Sequence, residues 1–276
     1  MATNPLFPLT AVVQRLDWAG LDPRRNCFDL ISSYESLHFS KPRPEFSAEV
    51  LGRMTAQPGE AAFVGNDEAL DLRPARLLGL ATFLAVRSAE SGSPGENGRG
   101  TMRQLAAGLE TDHCETAFLL APHPSPCSLP ALLTGYLAAV LHAFSESHWS
   151  CPPQEAGWGP VEIACHLRDV EREITQPRLR RILDLENPYL APVESDPWAE
   201  ERGYRSQDGP QALREFVRAR KETVALLRNL AAADWRRSAR HALFGPTTLA
   251  EQARFSSRHD LLHIEQLRGS LAAAGE

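Results

Sequence analysis

His259 and His263 stand four residues apart in the segment RHDLLHIEQL, and on a helix that spacing puts both imidazoles on one face. The face continues through Phe255, Leu262, Gln266 and Leu267, mostly apolar, and is predicted to point inward. A third imidazole is available from His166, in GWGPVEIACHLRDVE, on a separate helical stretch. Three neutral imidazoles would leave one or two coordination positions open on Zn²⁺, Ni²⁺, Fe²⁺ or Mn²⁺. An ion held that way lowers the pKa of water or of a thiol and polarises a carbonyl. The competing reading is a set of hydrogen-bonded core histidines. Six others (His38, His113, His123, His142, His148, His241) give coincidence room to act.

The neighbouring polar groups have two readings each. Arg220 interrupts an apolar stripe of Phe216, Val217 and Val224, either as a substrate contact for an anionic thiol or as a side chain snorkelling to water, the second being favoured. Asp169, Asp260 and Glu162 are candidate partners for imidazole N–H groups, or solvated helix residues. Cys165 points about 100° away from His166 around the helix and is assigned to the core. Trp158, Trp198, Trp235 and Tyr204 are expected to cap the helical core, with the stretch Glu186–Asp208 long enough to cover a pocket mouth.

A second group of residues lies early in the chain: Ala2-Thr3-Asn4-Pro5, then Lys41-Pro42 with Pro44-Glu45, then Val64-Gly65-Asn66-Asp67 with Asp71-Leu72. Lys41 is one of only two lysines, beside Lys221. Over roughly residues 1–113 this order resembles the haloacid dehalogenase (HAD) superfamily from its second motif onward. The resemblance implies that Thr3 and Lys41 bind a transferring phosphoryl group and that Asp67 and Asp71 hold Mg²⁺. The chain departs from that pattern where it matters most. The family's nucleophilic aspartate, its DxD strand and the cap are missing, no Asp-x-Asp triplet occurs, and Asn66 stands where many members carry aspartate. The expectation is an inactive, truncated HAD-like remnant that cannot form an aspartyl-phosphate. The alternative is a phosphatase fusion whose nucleophile segment is absent from this chain.

The later residues carry a second resemblance. Trp158-Gly159-Pro160, Glu162, His166-Leu167, Asp169, Trp198, Tyr204 and HDLLHIEQL, in that order over about residues 129–271, resemble the DinB superfamily. This implies a four-helix bundle with a three-histidine metal site at His166, His259 and His263. It also implies either thiol S-transfer with a low-molecular-weight thiol or hydrolysis.

The elements that must position these groups follow from periodicity and punctuation. Apolar runs at Phe28–Tyr34, Ala61–Asn66 and Ala81–Val86 read as strands, alternating with helical stretches at Pro44–Met54 and Leu70–Leu78. That alternation implies a parallel sheet covered on both faces. A Gly/Ser/Pro-rich loop spans Arg87–Gly100, and four prolines between Ala121 and Pro130 mark a break. Beyond it four amphipathic helices are predicted, at Leu129–Ser147, Pro160–Leu183, Gly209–Ala232 and Thr247–Ala273. Asp208 and Thr247 or Thr248 are their capping candidates. The predicted fold class is a two-domain chain: a partial α/β, HAD-like layer over 1–113, a linker over 114–128, and an all-α four-helix bundle over 129–276.

Composition narrows the function classes. At 276 residues with 43% hydrophobic and 23% charged residues, the chain can build one or two real cores. A net charge of −6 argues against a nucleic-acid surface. Five cysteines (Cys27, Cys114, Cys127, Cys151, Cys165) without CxxC spacing fit a reducing, cytoplasmic setting rather than zinc knuckles or disulfides. The apolar runs look too short for a bilayer, and the start has no basic signal-peptide region. The expected partner is a small-molecule substrate, with a homodimer as a candidate assembly. Two readings of the helical half stand: a metal-dependent transferase or hydrolase, and a non-catalytic metal-binding or dimerisation module. Mg²⁺ enters only if the early half is functional.

Overall fold

The computed structural model describes residues 1–22, 25, 28–88, 98–110, 118, 125–147, 149 and 157–274. The chain divides into two units, residues 1–135 and 136–276. Of the expected connections, residues 89–97 of the glycine-rich loop and most of the linker, 114–117 and 119–124, lie outside the described residues.

The first unit runs α1 (Leu9–Trp18), α2 (Pro44–Arg53), β1 (Ala62–Gly65), α3 (Arg73–Leu77), β2 (Ala81–Ala85), β3 (Arg99–Gly100) and α4 (Met102–Leu109). The strands form one parallel sheet in the order β1-β2-β3, with Ala62 opposite Ala81 and Leu84 opposite Arg99. Phe63 and Thr82 are buried on one face of the sheet and Phe83 on the other, and Leu72, Ala75, Leu78 and Leu80 are buried around them. β1 turns Ala62 and Val64 outward, so the sheet is not covered on both faces there. The helix predicted over Leu70–Leu78 opens as a wide, π-type turn at Glu68–Leu72 that continues into α3.

Phe28–Tyr34 is not a strand. Its backbone groups are taken up by the first residues of the chain instead of by a ladder: Ser32 N–H donates to Met1 O and Tyr34 N–H to Phe7 O. The Ser32 hydroxyl clasps the Thr3 backbone, accepting from its N–H and donating to its carbonyl, both at 2.7 Å. Apolar composition marked this segment as buried, which Ser32 and Ser33 are, but burial alone does not supply a pairing partner.

α5 (Leu129–Glu146) carries the division between the units. With the turn before it, Pro126–Glu146 is long and apolar enough by length and composition to cross a bilayer, which corrects the estimate from uninterrupted runs. Thr134, Gly135 and His142 break those runs without making the helix polar. Within the protein, 78% of the apolar window is buried, the pattern of a core helix.

The second unit continues with α6 (Pro160–Val170), a π-type turn at Glu171–Thr175 and α7 (Gln176–Asp184), which together make one rod. Then come β4 (Tyr189–Leu190), α8 (Trp198–Glu201), α9 (Gly209–Arg228), β5 (Ser238–His241), β6 (Gly245–Thr248) and α10 (Leu249–Ala274). α5, the α6–α7 rod, α9 and α10 are the four long members of a four-helix bundle. α6 packs along α9, and α10 against α6 and α7. Ile163, Leu167, Leu179, Phe216, Leu227, Ile264 and Leu267 fill the interior.

Local chemistry sets the helix ends. Asp208 caps α9, its carboxylate accepting from Gln211 N–H at 2.8 Å. Thr248 and Glu251 form a reciprocal box at the start of α10. α10 starts at Leu249, later than predicted, because Thr247 and Thr248 belong to β6. The small sheet β4-β5-β6, with β5–β6 antiparallel around Gly245 (φ +74°), was not legible in the pattern.

Candidate metal centre

His166 projects from α6, and His259 and His263 from adjacent turns of α10. The His259 Nε2 lies 3.0 Å from His166 Nε2 and 3.1 Å from His263 Nε2. One nitrogen from each ring falls within 4.8 Å of the other two. The remaining described histidines are engaged elsewhere: His38 with Glu49, His142 with Glu146, and His241 with the Leu243 and Phe244 amides. His113, His123 and His148 lie outside the described residues.

One of the rings is held from its other side. His263 Nδ1–H donates to Gln266 Oε1 at 2.8 Å, a pairing that leaves the Nε2 lone pair free to face the cluster. His166 Nδ1 is buried without a hydrogen-bond partner. Trp158 lies against two of the rings, its centroid 4.5 Å from that of His166 and 6.1 Å from that of His263, nearly parallel to the latter at 10°. The expectation that Trp158 merely caps the core missed this contact; only the proximity of WGP to the His166 helix hinted at it.

The packed face of α10 is turned relative to the one the sequence suggested. Leu262 is 58% exposed, while Asp260, Leu261, His263, Ile264 and Leu267 are buried. Leu262 lies about 60° to the far side of His259 from the direction of His263, beyond the edge of the packed surface.

Burial keeps these imidazoles neutral. It pushes His166 down to about 3, with the neighbouring His263 acting in the same direction. It pushes His263 down to about 4, against Gln266 and Asp196, which favour the charged form. His259 is lowered well below its ordinary value by burial, then by His263, His166 and Arg220. The ordinary value is 6.5, so from there down to about 4 the unfolded chain binds protons that the folded chain refuses. Stability is therefore full above 6.5 and falls as the pH falls. The metal-free protein should show a thermal midpoint that declines steadily from pH 7 to pH 4; a flat profile would mean that the rings are solvated.

The groups around the histidines are wired differently from the sequence reading. Arg220 does not snorkel. It is 2% exposed, and its guanidinium pairs with Asp260 and, at 2.8 Å, with Glu171. Glu171 also accepts from the Thr223 hydroxyl. Burial alone would lower the Arg220 pKa; Asp260 and Glu171 outweigh it and hold the guanidinium charged. Asp260 is therefore engaged with Arg220, not with an imidazole. Asp169 likewise accepts from Arg168 at 2.6 Å and from Arg202 and the Tyr204 hydroxyl, both at 2.8 Å. Glu162 caps α6 through Gly159 N–H and pairs with Arg205. In each case an arginine, the stronger donor, takes the carboxylate.

Tyr204 and Trp235 are buried as expected, while Trp198 lies under the Arg202 guanidinium at 3.9 Å. Cys165 is fully buried, with its thiol pushed up to about 11 by desolvation, and belongs to the core. Beside His259 opens a cavity of about 220 Å³, which Arg220 and Glu171 also line.

In the first unit, Lys41 Nζ meets Asp71 Oδ1 at 2.7 Å. Asp71 Oδ2 accepts from the backbone N–H of Asn66 and Asp67, both at 3.1 Å. The Asp67 carboxylate is turned to cap the following turn through Ala69 and Leu70 N–H. Thr3 bonds to Ser32 through its backbone, and it is Asn4 that reaches Lys41, its side-chain carbonyl accepting from the Lys41 backbone N–H at 3.1 Å. The structure brings together Lys41 and Asp71 but not the four residues as one ligand set.

Comparison with known proteins bears on the second half. No curated protein matches the chain. Among solved structures, YfiT from Bacillus subtilis, described as a probable metal-dependent hydrolase with an unusual four-helix bundle topology, aligns with a TM-score of 0.46 and 18% identity. The alignment covers 70% of this chain and 95% of that one. Residues 133–267 match the model of the DinB superfamily, a span that contains His166, His259 and His263, and it is this stretch of the chain that is DinB-like.

Proposed function

We propose that His166, His259 and His263 hold one divalent transition metal, Zn²⁺, Ni²⁺, Fe²⁺ or Mn²⁺, and that the second half of the chain is a metal-dependent hydrolase or thiol S-transferase acting on a small molecule. The observation that carries this reading is the convergence of three imidazole Nε2 atoms from two helices. A core of histidines would instead pair each ring with its own polar partner. The donor chemistry fits: three neutral nitrogen ligands, with one tautomer fixed from behind by Gln266. When bound, such an ion supplies Lewis acidity and an activated water or thiol.

The chain's own residues do the rest. Trp158 shields one side of the His166 and His263 rings from water. Glu171 and Asp260 bracket the Arg220 guanidinium and offset its charge, which unanswered would repel a cation beside His259. Cys165 is too deeply buried and too weakly acidic to serve as the reacting thiol, so S-transfer would use a thiol from outside the protein. For the first unit we infer no catalysis: Lys41 and Asp71 hold each other, and the Asp67 carboxylate is a helix cap. Its likeness to a HAD-like remnant rests on the sequence order alone.

The test is elemental analysis of the full chain, stripped with chelator and reloaded separately with each of the four metals. The result expected is close to one metal per chain for at least one of them, and background for His259→Ala. No retention by folded wild-type protein would overturn the reading and leave three core histidines. Retention without turnover of ester, amide or thiol-acceptor substrates would favour the non-catalytic module.

A further inference from the structure

The cavity beside His259 is lined by one cation whose charge no carboxylate answers among the described residues. Arg178, on α7, is half-buried at the cavity wall, and one Nη2–H donates to Ala191 O at 2.9 Å. No carboxylate pairs with it among the described residues, whereas Arg168, Arg202 and Arg220 in the same unit each hold one or two. Desolvation lowers its pKa, with no compensating acid to raise it again. A half-buried guanidinium is costly without a counter-charge, and a cavity wall is where a ligand can bring one.

The rest of the wall defines the ligand further. Val170, Ile174, Leu179 and Phe255 give an apolar surface. Thr175 and Ser256 add hydroxyls 3.5 Å apart. Glu171, the one carboxylate on the wall, has both oxygens engaged, one by Arg220 and one by Thr223. The volume, about 220 Å³, is below the roughly 300–1,000 Å³ of sites that take drug-sized molecules.

We infer that this cavity binds a small amphiphilic carboxylate, its anionic group on Arg178 and its chain along Val170, Ile174, Leu179 and Phe255. A single guanidinium with part of its edge already bonded matches a monoanion rather than a multiply charged phosphate. Because His259 shares the cavity, the ligand would reach the proposed metal site. The assignment rests on the metal reading for the reaction but not for binding.

The experiment is ligand-observed NMR titration of the full chain with hexanoate and hexanamide, in chelator-stripped and metal-loaded protein. Arg178→Gln and Arg178→Lys are compared with wild type, each checked by circular dichroism melts. Wild type should bind hexanoate in both metal states and prefer it to hexanamide. Arg178→Gln should weaken hexanoate binding by about 10–100-fold, the value of one charged hydrogen-bonded contact, and leave hexanamide unchanged. Arg178→Lys, which keeps the charge, should recover part of the loss. Equal binding of the amide, an unaffected Arg178→Gln, or no hexanoate binding at all would each overturn the proposal. So would binding that disappears with chelation and in His259→Ala yet survives in Arg178→Gln, since the anion would then sit on the metal. Failure of the protein to retain any metal, with Arg178-dependent binding intact, would sink the metal reading and leave this one standing.

Discussion

Arg220→Ala should destabilise the second unit by about 3–5 kcal/mol, a drop of roughly 6–20 °C in its thermal midpoint. The substitution leaves Glu171, 1% exposed, and Asp260, 0% exposed, without their shared cation. Two uncompensated carboxylates inside a bundle must then either take up protons or draw water in. The magnitude comes from that residue of unmatched charge, not from the net worth of the ion pairs, which desolvation largely cancels. The distinction is measurable. Replacing Arg220, Glu171 and Asp260 together with apolar residues of similar volume should recover most of the loss, because no charge is left to desolvate. Thermal unfolding followed by circular dichroism, with the single and triple variants side by side, checks both arms. A single variant as stable as wild type would mean that the network is open to solvent.

The second large effect is linkage between metal and fold. At a free metal concentration about 1,000 times the dissociation constant, binding to the folded state alone adds about 4.1 kcal/mol. For a unit of this size that raises the midpoint by roughly 8–16 °C. The three ligands join α6 to α10, so the ion would tie together elements 93 positions apart in the chain. Chelator should reverse the shift, and His259→Ala should abolish it while leaving the metal-free midpoint within a few degrees of wild type. With two units in the chain, the shift should appear in one transition only. Identical midpoints with and without metal would refute the linkage.

The helices of the second half were readable because their apolar residues recur at helical spacing and their caps stand at the right places, Asp208 and Thr248 among them. The three histidines were readable for the same reason: His259 and His263 share a helix, and a four-residue step fixes their relation without any tertiary knowledge. What joins His166 to them is a helix–helix contact, which spacing does not encode; the family resemblance supplied it. The carboxylate assignments failed because proximity in sequence says nothing about which of several arginines competes for an oxygen. Asp260 lies next to His259 in the chain yet faces Arg220 from another helix. Arg178 escaped notice because it stands among other arginines in QPRLRRILD, and only the fold separates it from them. In the first unit, Phe28–Tyr34 misled because a buried apolar run reads the same whether it joins a sheet or packs against the chain terminus.

The π-type turn at Glu171–Thr175 has a consequence for how the second unit can change. Such a turn holds one residue more than the α-helical turn it replaces. The rod from Pro160 to Asp184 thus takes up one extra residue halfway along it, with His166 before the wide turn and Arg178 after it. The widening absorbs that residue, so the two halves keep nearly the phase of an uninterrupted helix. If the same residues closed into regular α-winding, one half of the rod would rotate by up to about 100° against the other. His166 could then keep its orientation toward α10 only if Arg178 left the cavity wall. The alignment of the histidine cluster with the cavity's cation is in this sense a property of one wide turn, and closing or opening that turn would couple the two.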